Sequence, residues 1–211
     1  MSPAREIGGD LFDFFLLDDH HLAFCVGDVS GKGVPAALFM AVTRTLLRAT
    51  AQHHASPAQC MAYLNNSLTQ QNASGMFVTF FYGVLDTRNG EIEYANAGHN
   101  LPYVLSKDGD LRAIDEKGGP MLGLFEDMDY ASEKTRLAAG DCIVVYTDGI
   151  TEARDRSGQF FGDKRLENYL RAHPWMPAEQ LVSSLQKHVH EFCIGVPQSD
   201  DITALALRYL G

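Results

Sequence analysis

Two apolar runs, Leu11 to Leu17 and Leu22 to Val29, flank the polar stretch Asp18-Asp19-His20-His21. Apolar runs of that length joined by a polar turn predict a β-hairpin, here with its second strand ending at Gly27-Asp28. Gly31-Lys32-Gly33 then breaks the chain, and from Val34 to about Ala51 the residues are rich in Ala, Leu and Met. Val34, Leu38, Ala41 and Val42 fall on one face, so the stretch predicts a mostly buried helix. Ser56-Pro57 has the form of an N-cap followed by proline at the first helical position, and opens a second helix to about Gln71.

Phe77 to Leu85 is apolar on both faces, as a central strand is. Asn89-Gly90 closes the turn Thr87-Arg88-Asn89-Gly90, a strong hairpin signal. The alternation Glu91, Ile92, Glu93, Tyr94 predicts a half-exposed strand. Tyr103 to Leu105 and Leu111 to Ile114 pair across Lys107-Asp108-Gly109-Asp110, and Asp141 to Thr147 is a further buried strand. Leu181, Leu185, Val189 and Phe192 mark an amphipathic helix, and Ile202 to Tyr209 closes the chain as a strand. Trp175, between Pro174 and Met176, is expected to anchor the loop joining the last helices. Hairpins recur, helices come in two pairs, and no repeat or linker interrupts the chain. This is an α+β pattern, a sheet-based core with helices outside, in a single domain spanning residues 1–211.

Composition narrows the function. Lys plus Arg number 17 and Asp plus Glu 27, a formal net charge of −10. Such a chain lacks the basic face that binding to nucleic acid or to an anionic membrane surface requires. No apolar stretch is long enough to insert in a bilayer, and the first residues lack the apolar core of a signal peptide. Cys25, Cys60, Cys142 and Cys193 form no C-x-x-C pair and read as reduced, mostly buried thiols, which points to the cytoplasm.

Four segments share one design, an Asp at a strand end beside glycine or another turn former: Gly8-Gly9-Asp10, Gly27-Asp28-Val29-Ser30-Gly31, Thr147-Asp148-Gly149 and Ser199-Asp200-Asp201. Each alone reads as a plain turn; the joint pattern carries weight. Four carboxylates brought to one point repel and raise one another's pKa, and two divalent cations remove that conflict. Oxygen donors without thiolate favour magnesium or manganese. Lys32 invites comparison with a phosphate-binding P-loop, but the glycine spacing fails and Gly33 stands where Ser or Thr would hold magnesium.

The ordered segments Glu6-Ile7-Gly8-Gly9-Asp10-Leu11-Phe12-Asp13, Gly27-Asp28-Val29-Ser30-Gly31-Lys32-Gly33-Val34-Pro35-Ala36-Ala37, Asn96-Ala97-Gly98-His99-Asn100, Tyr146-Thr147-Asp148-Gly149-Ile150-Thr151-Glu152-Ala153 and Asp200-Asp201-Ile202-Thr203 resemble the PPM-type (protein phosphatase 2C-like) serine phosphatases of bacteria, SpoIIE/RsbU branch. The match covers nearly the whole chain. The resemblance implies an αββα sandwich, a central antiparallel β-sandwich flanked by two helical layers. It implies two divalent cations, Mn2+ or Mg2+, with Asp28 bridging them, the backbone carbonyl of Val29 joining the coordination, and Asp10, Asp148 and Asp200 completing the catalytic ligand set. Asp201 would orient a water from behind these ligands. A hydroxide bridging the ions would attack the phosphoserine or phosphothreonine ester, with no covalent phosphoenzyme.

Arg5 stands at the offset from Asp10 where eukaryotic relatives hold the substrate phosphate; a plain surface arginine explains it equally well. Two departures are visible. The histidine of the eukaryotic Asp-Gly-His-Gly-Gly segment is missing from Asp28-Val29-Ser30-Gly31-Lys32. His99 stands where many relatives carry an Asp for a third ion, which leaves Glu152 as the remaining candidate ligand for it. The branch implies a phosphorylated anti-sigma-factor antagonist of the STAS type as substrate. It also implies an upstream sensory or receiver domain in a longer parent chain, able to be membrane-tethered, that moves the helices after the second motif. The rival functions are a pseudo-phosphatase that binds phosphoprotein without turnover, and a metal-dependent phosphodiesterase.

Overall fold

The computed structural model describes residues 1–4, 7–53, 56–70, 72, 75–114 and 118–211. β1 (Leu11–Leu16) and β2 (His21–Val29) form the hairpin, in a register that runs from Leu11 opposite Gly27 to Leu16 opposite Leu22. β3 (Val78–Asp86), β4 (Glu91–Ala97) and β7 (Glu133–Arg136) extend it to an antiparallel sheet in the order β1-β2-β3-β4-β7, with β3 at its centre. A second sheet holds β5 (Tyr103–Leu105), β6 (Leu111–Ala113), β8 (Cys142–Tyr146) and β9 (Ala204–Arg208) in the order β6-β5-β8-β9.

The strand period of two distributes side chains over three cores. Phe24 and Val26 of β2, Phe81 of β3, and Ile143 and Val145 of β8 meet between the two sheets. Ala23, Cys25, Phe80 and Tyr82 point the other way, under α1 (Val34–Thr50) and α2 (Pro57–Thr69). Cys142, Val144 and Tyr146 lie under α4 (Gly162–Ala172) and α5 (Ala178–Phe192), against Leu166, Leu170, Leu181, Leu185 and Val189. The result is the four-layer helix–sheet–sheet–helix sandwich that the motif resemblance implied. Both faces of β2, β3 and β8 are covered, which is why these strands read as unbroken apolar runs. Each large side chain buried this way contributes about 1.5–3 kcal/mol. Ser56 caps α2 by accepting the Gln59 N–H at 3.3 Å, as its sequence signature indicated; Gln71, the expected end of that helix, lies outside the described residues.

Three features differ from the sequence reading. The α1 face marked by Val34, Leu38, Ala41 and Val42 is exposed, Leu38 by 63%, while Ala36, Thr43, Leu47 and Thr50 pack on the sheet. The helix is apolar almost all round, so periodicity offered two faces, and the one that sits on the sheet carries Ala36 and Leu47 with Phe39, Met40 and Leu46 beside them. Trp175 is 69% exposed and anchors nothing. β7, with the sequence Glu-Lys-Thr-Arg, has no apolar alternation to announce it; it is held as an edge strand by its register with Glu91–Tyr94.

One polar clamp ties the helical layer to the sheet. Asp13 of β1 is buried and faces α1, where its carboxylate accepts from Arg44 Nε at 3.0 Å and from Arg48 Nη2 at 2.7 Å. Burial opposes its ionisation, yet the hydrogen bonds of Arg48 and Arg44 hold its pKa down to about 2. The clamp fixes α1 against the strand that begins one residue after Asp10.

Candidate active site

The topology gathers the four Asp-bearing segments at one end of the sandwich. Asp10 immediately precedes β1 and Asp28 is the penultimate residue of β2; pairing of Leu11 with Gly27 sets the two acids side by side. In the other sheet Asp148 follows β8, and Asp200 precedes β9, whose Ala204 is opposite Tyr146. A single turn of helix, α3 (Asp148–Thr151), starts at Asp148 with Thr147 as its N-cap.

Asp10 is 2% exposed and accepts a hydrogen bond from Thr147 Oγ1 at 2.8 Å, a link between the two sheets. Burial lifts its pKa well above the usual carboxylate range, and the charges of Asp28 and Asp201 lift it further. Asp28 is raised for the same reason, by burial first and then by the charges of Asp148 and Asp200. Asp10 and Asp28 are close enough to influence each other's ionisation directly. Asp148 is raised by burial, by exposed Glu152 and by Asp200. The acids are electrostatic neighbours. As they stand, no group of three or more His, Cys, Asp or Glu side chains among the described residues is placed to hold an ion.

The donor set nonetheless fits a hard divalent cation. It offers carboxylate oxygens whose pKa values are raised by burial first and then by neighbouring negative charge, a condition a cation relieves. A cation already sits at its edge: Lys32 Nζ lies 3.0 Å from Asp200 Oδ2.

Asp201 has a structural role that the sequence did not announce. Its carboxylate turns away from the cluster and accepts the backbone N–H groups of Ala4 and Gly9 at 2.7 Å each, and that of Asp10 at 3.3 Å. It anchors the segment that carries Asp10. The glycines around it are required by this contact. A Cβ at Gly8 would lie 2.5 Å from Asp201 Oδ2, and one at Gly149 would overlap the Asp201 carbonyl oxygen. Gly9 similarly admits the Val29 carbonyl, which a Cβ there would meet at 3.2 Å.

His99 is buried, with Nδ1 2.9 Å from Thr79 Oγ1 and its backbone N–H donated to Asn96 Oδ1. Burial pushes its pKa down to about 4, so the ring is neutral; the ring meets β3 at Thr79 while the His99 backbone is tied to Asn96 at the β4 end. Arg5 and Glu6 lie outside the described residues. The sequence reading missed the contribution of Thr147 and the contact of Lys32 with Asp200. Thr147 was legible as the residue before Asp-Gly; nothing local signals a partner for Lys32 that is 168 positions away.

A family model described as "Stage II sporulation protein E (SpoIIE)" matches residues 18–210. Phosphoserine phosphatase RsbU of Bacillus subtilis (strain 168) is 30% identical over 210 residues, 98% of this chain. The chain spans 36% and 61% of the lengths of the two curated relatives it matches at 30% identity. The structure of the SiaA-PP2C domain of Pseudomonas aeruginosa superposes with a TM-score of 0.87 at 24% identity, over 99% of this chain and 83% of that one. RsbX, solved in complex with magnesium, superposes with a TM-score of 0.70 at 17% identity, over 98% and 90% of the two chains. At these identities the two structures establish a shared fold.

Proposed function

This chain belongs to the SpoIIE family, and we propose on that premise that it is a metal-dependent serine/threonine phosphoprotein phosphatase. The observation that carries the proposal is the convergence of Asp10, Asp28, Asp148 and Asp200 from two sheets onto one end of the fold, with raised pKa values at Asp10, Asp28 and Asp148. These four carboxylates and the Val29 carbonyl would hold two divalent ions, Mn2+ or Mg2+. Magnesium in the RsbX structure supports that class of ion. Such ions supply a nucleophilic water at neutral pH and offset charge on the phosphoryl oxygens.

The chain's own residues set the rest. Asp10 and Asp28, whose pKa values burial raises, are the carboxyls whose ionised form a cation would favour most. Thr147 and Asp201 fix Asp10 from either side. A thiol nucleophile is disfavoured: burial pushes Cys60 and Cys142 up to about 11 and Cys25 higher still, and raises partly exposed Cys193 as well. Arg5 is proposed as a contact to the substrate phosphate.

The name of RsbU supports phosphoserine as the substrate class. A phosphorylated STAS-type anti-sigma-factor antagonist is the proposed substrate, and residues 1–211 the proposed catalytic domain of a longer cytoplasmic signalling protein. The exposed α1 face is where an upstream sensory or receiver domain would act. Among the described residues no helix is long and apolar enough to cross a membrane.

Turnover with manganese of a phosphoserine peptide and of a bis-ester such as bis(p-nitrophenyl) phosphate tests the assignment. The monoester is expected to be preferred in kcat/KM by about 10²-fold or more, because a site built for a dianion discriminates against a monoanion. Preference for the bis-ester would identify a phosphodiesterase; tight peptide binding without turnover would identify a pseudo-phosphatase.

A further inference from the structure

Lys32 lies between two glycines in left-handed backbone conformations, Gly31 at φ 86° and Gly33 at φ 79°. A Cβ at either glycine would meet no heavy atom within 4 Å. Backbone conformation, not packing, calls for glycine there, and the lysine stands on a loop clear of the body of the protein. From this loop, in the first sheet's half of the molecule, Nζ reaches the segment that leads into β9. It donates to the Ser199 carbonyl and, at 3.0 Å, to Asp200 Oδ2. Its charge also works against the rise in the pKa of Asp148. An ammonium held by a carboxylate oxygen and a backbone carbonyl uses the donors a hard cation would use.

We propose that Lys32 is a built-in competitor for the cation site. In the metal-free protein its ammonium occupies Asp200 and offsets part of the repulsion among the acids. A divalent ion has to displace it before Asp200 becomes available. The proposal rests on the reading of Asp200 as a metal ligand. Both partners are about two-fifths exposed, 39% for Lys32 and 40% for Asp200, so the contact is weak and yields readily. It tunes affinity and does not block loading.

Two effects of opposite sign follow from removing the ammonium. The Lys32→Met protein should bind Mn2+ about three- to fivefold more tightly, the factor a partly exposed ion pair is worth. The same variant should melt at a lower temperature in EDTA, because the acids lose their internal cation, and should gain more from added Mn2+ than wild type does. Lys32→Arg, which keeps the charge, should stay near wild type in both measurements. A lysine that merely supports the loop would lower stability in both conditions and leave affinity unchanged or weaker.

The test is calorimetric titration of Mn2+ into metal-free wild type, Lys32→Met and Lys32→Arg, with melting curves in EDTA and in Mn2+. Tighter binding and a lower metal-free melting temperature in Lys32→Met support the competitor. Wild-type or weaker affinity in Lys32→Met, with wild type binding normally, overturns it and leaves the metal-site reading intact. If wild type takes up no Mn2+, the reading of Asp200 as a ligand fails, and the competitor with it.

Discussion

Replacing Asp28 by asparagine should lower phosphatase turnover by at least about 10³-fold, the scale expected when a ligand that positions catalytic metal is lost, and should also make the metal-free protein more stable. The two effects share one cause. Asp28 is held in a partly buried cluster with Asp148, Asp200 and Asp10, and its pKa is raised by burial first and then by the charges of Asp148 and Asp200. A carboxyl whose pKa is raised on folding contributes most below its unfolded value, and that contribution is lost as pH climbs through its folded value. The metal-free protein should therefore lose stability from the ordinary carboxylate range up toward neutral pH. Asparagine keeps the shape and removes the charge, so the metal-free melting temperature at pH 8 should rise, for about 1–2 kcal/mol of relieved repulsion. The gain should vanish below about pH 3, where wild-type Asp28 is protonated in both states. Asp148→Asn should cost as much activity, with a smaller thermal gain, since Asp148 is closer to solvent. Steady-state rates at saturating manganese, and melting in chelator at both pH values, check this. Near-wild-type turnover in either variant would remove that residue from the site.

Gly149→Ala should destabilise the fold by about 4 kcal/mol or more, or yield no soluble protein, because an overlap in a packed interior forces the backbone itself to move. The alanine methyl group would overlap the Asp201 carbonyl oxygen at a point where both segments are buried. Moving Asp201 also pulls on the Ala4, Gly9 and Asp10 N–H groups that its carboxylate holds. Gly31→Ala is the informative contrast: no atom opposes its Cβ, so its cost is the left-handed backbone alone, about 1–2 kcal/mol. Denaturant unfolding of the two variants in EDTA measures the difference. A Gly149→Ala protein within about 1 kcal/mol of wild type would show that the close approach is not needed.

Much of this was legible in the chain itself, for physical reasons that differ from residue to residue. The central strands announce themselves because both faces of β2, β3 and β8 are covered. The acids announce themselves because an Asp at a strand end needs neighbours that permit a turn or a close approach, and Gly8, Gly9 and Gly149 stay visible as glycines. What stayed hidden depends on pairs distant in sequence. Which face of α1 packs depends on contacts distant in sequence, among them the close approach of Ala36 to Gly9. The burial of Asp13 depends on Arg44 and Arg48, 31 and 35 positions on. β7 is a strand only because β4 offers it an edge. The anchoring role of Asp201 follows from a contact spanning 192 positions with Gly9.

The most direct measurement is phosphate release from a phosphoserine protein or peptide by the wild-type chain, first in excess EDTA and then after manganese or magnesium is restored. With two cations held by Asp10, Asp28, Asp148 and Asp200, release should fall to background in the chelator and return when either ion is added in excess of it. Full turnover in excess EDTA would contradict the assignment, because no thiol or histidine described above is positioned and ionised to replace the metal-dependent chemistry.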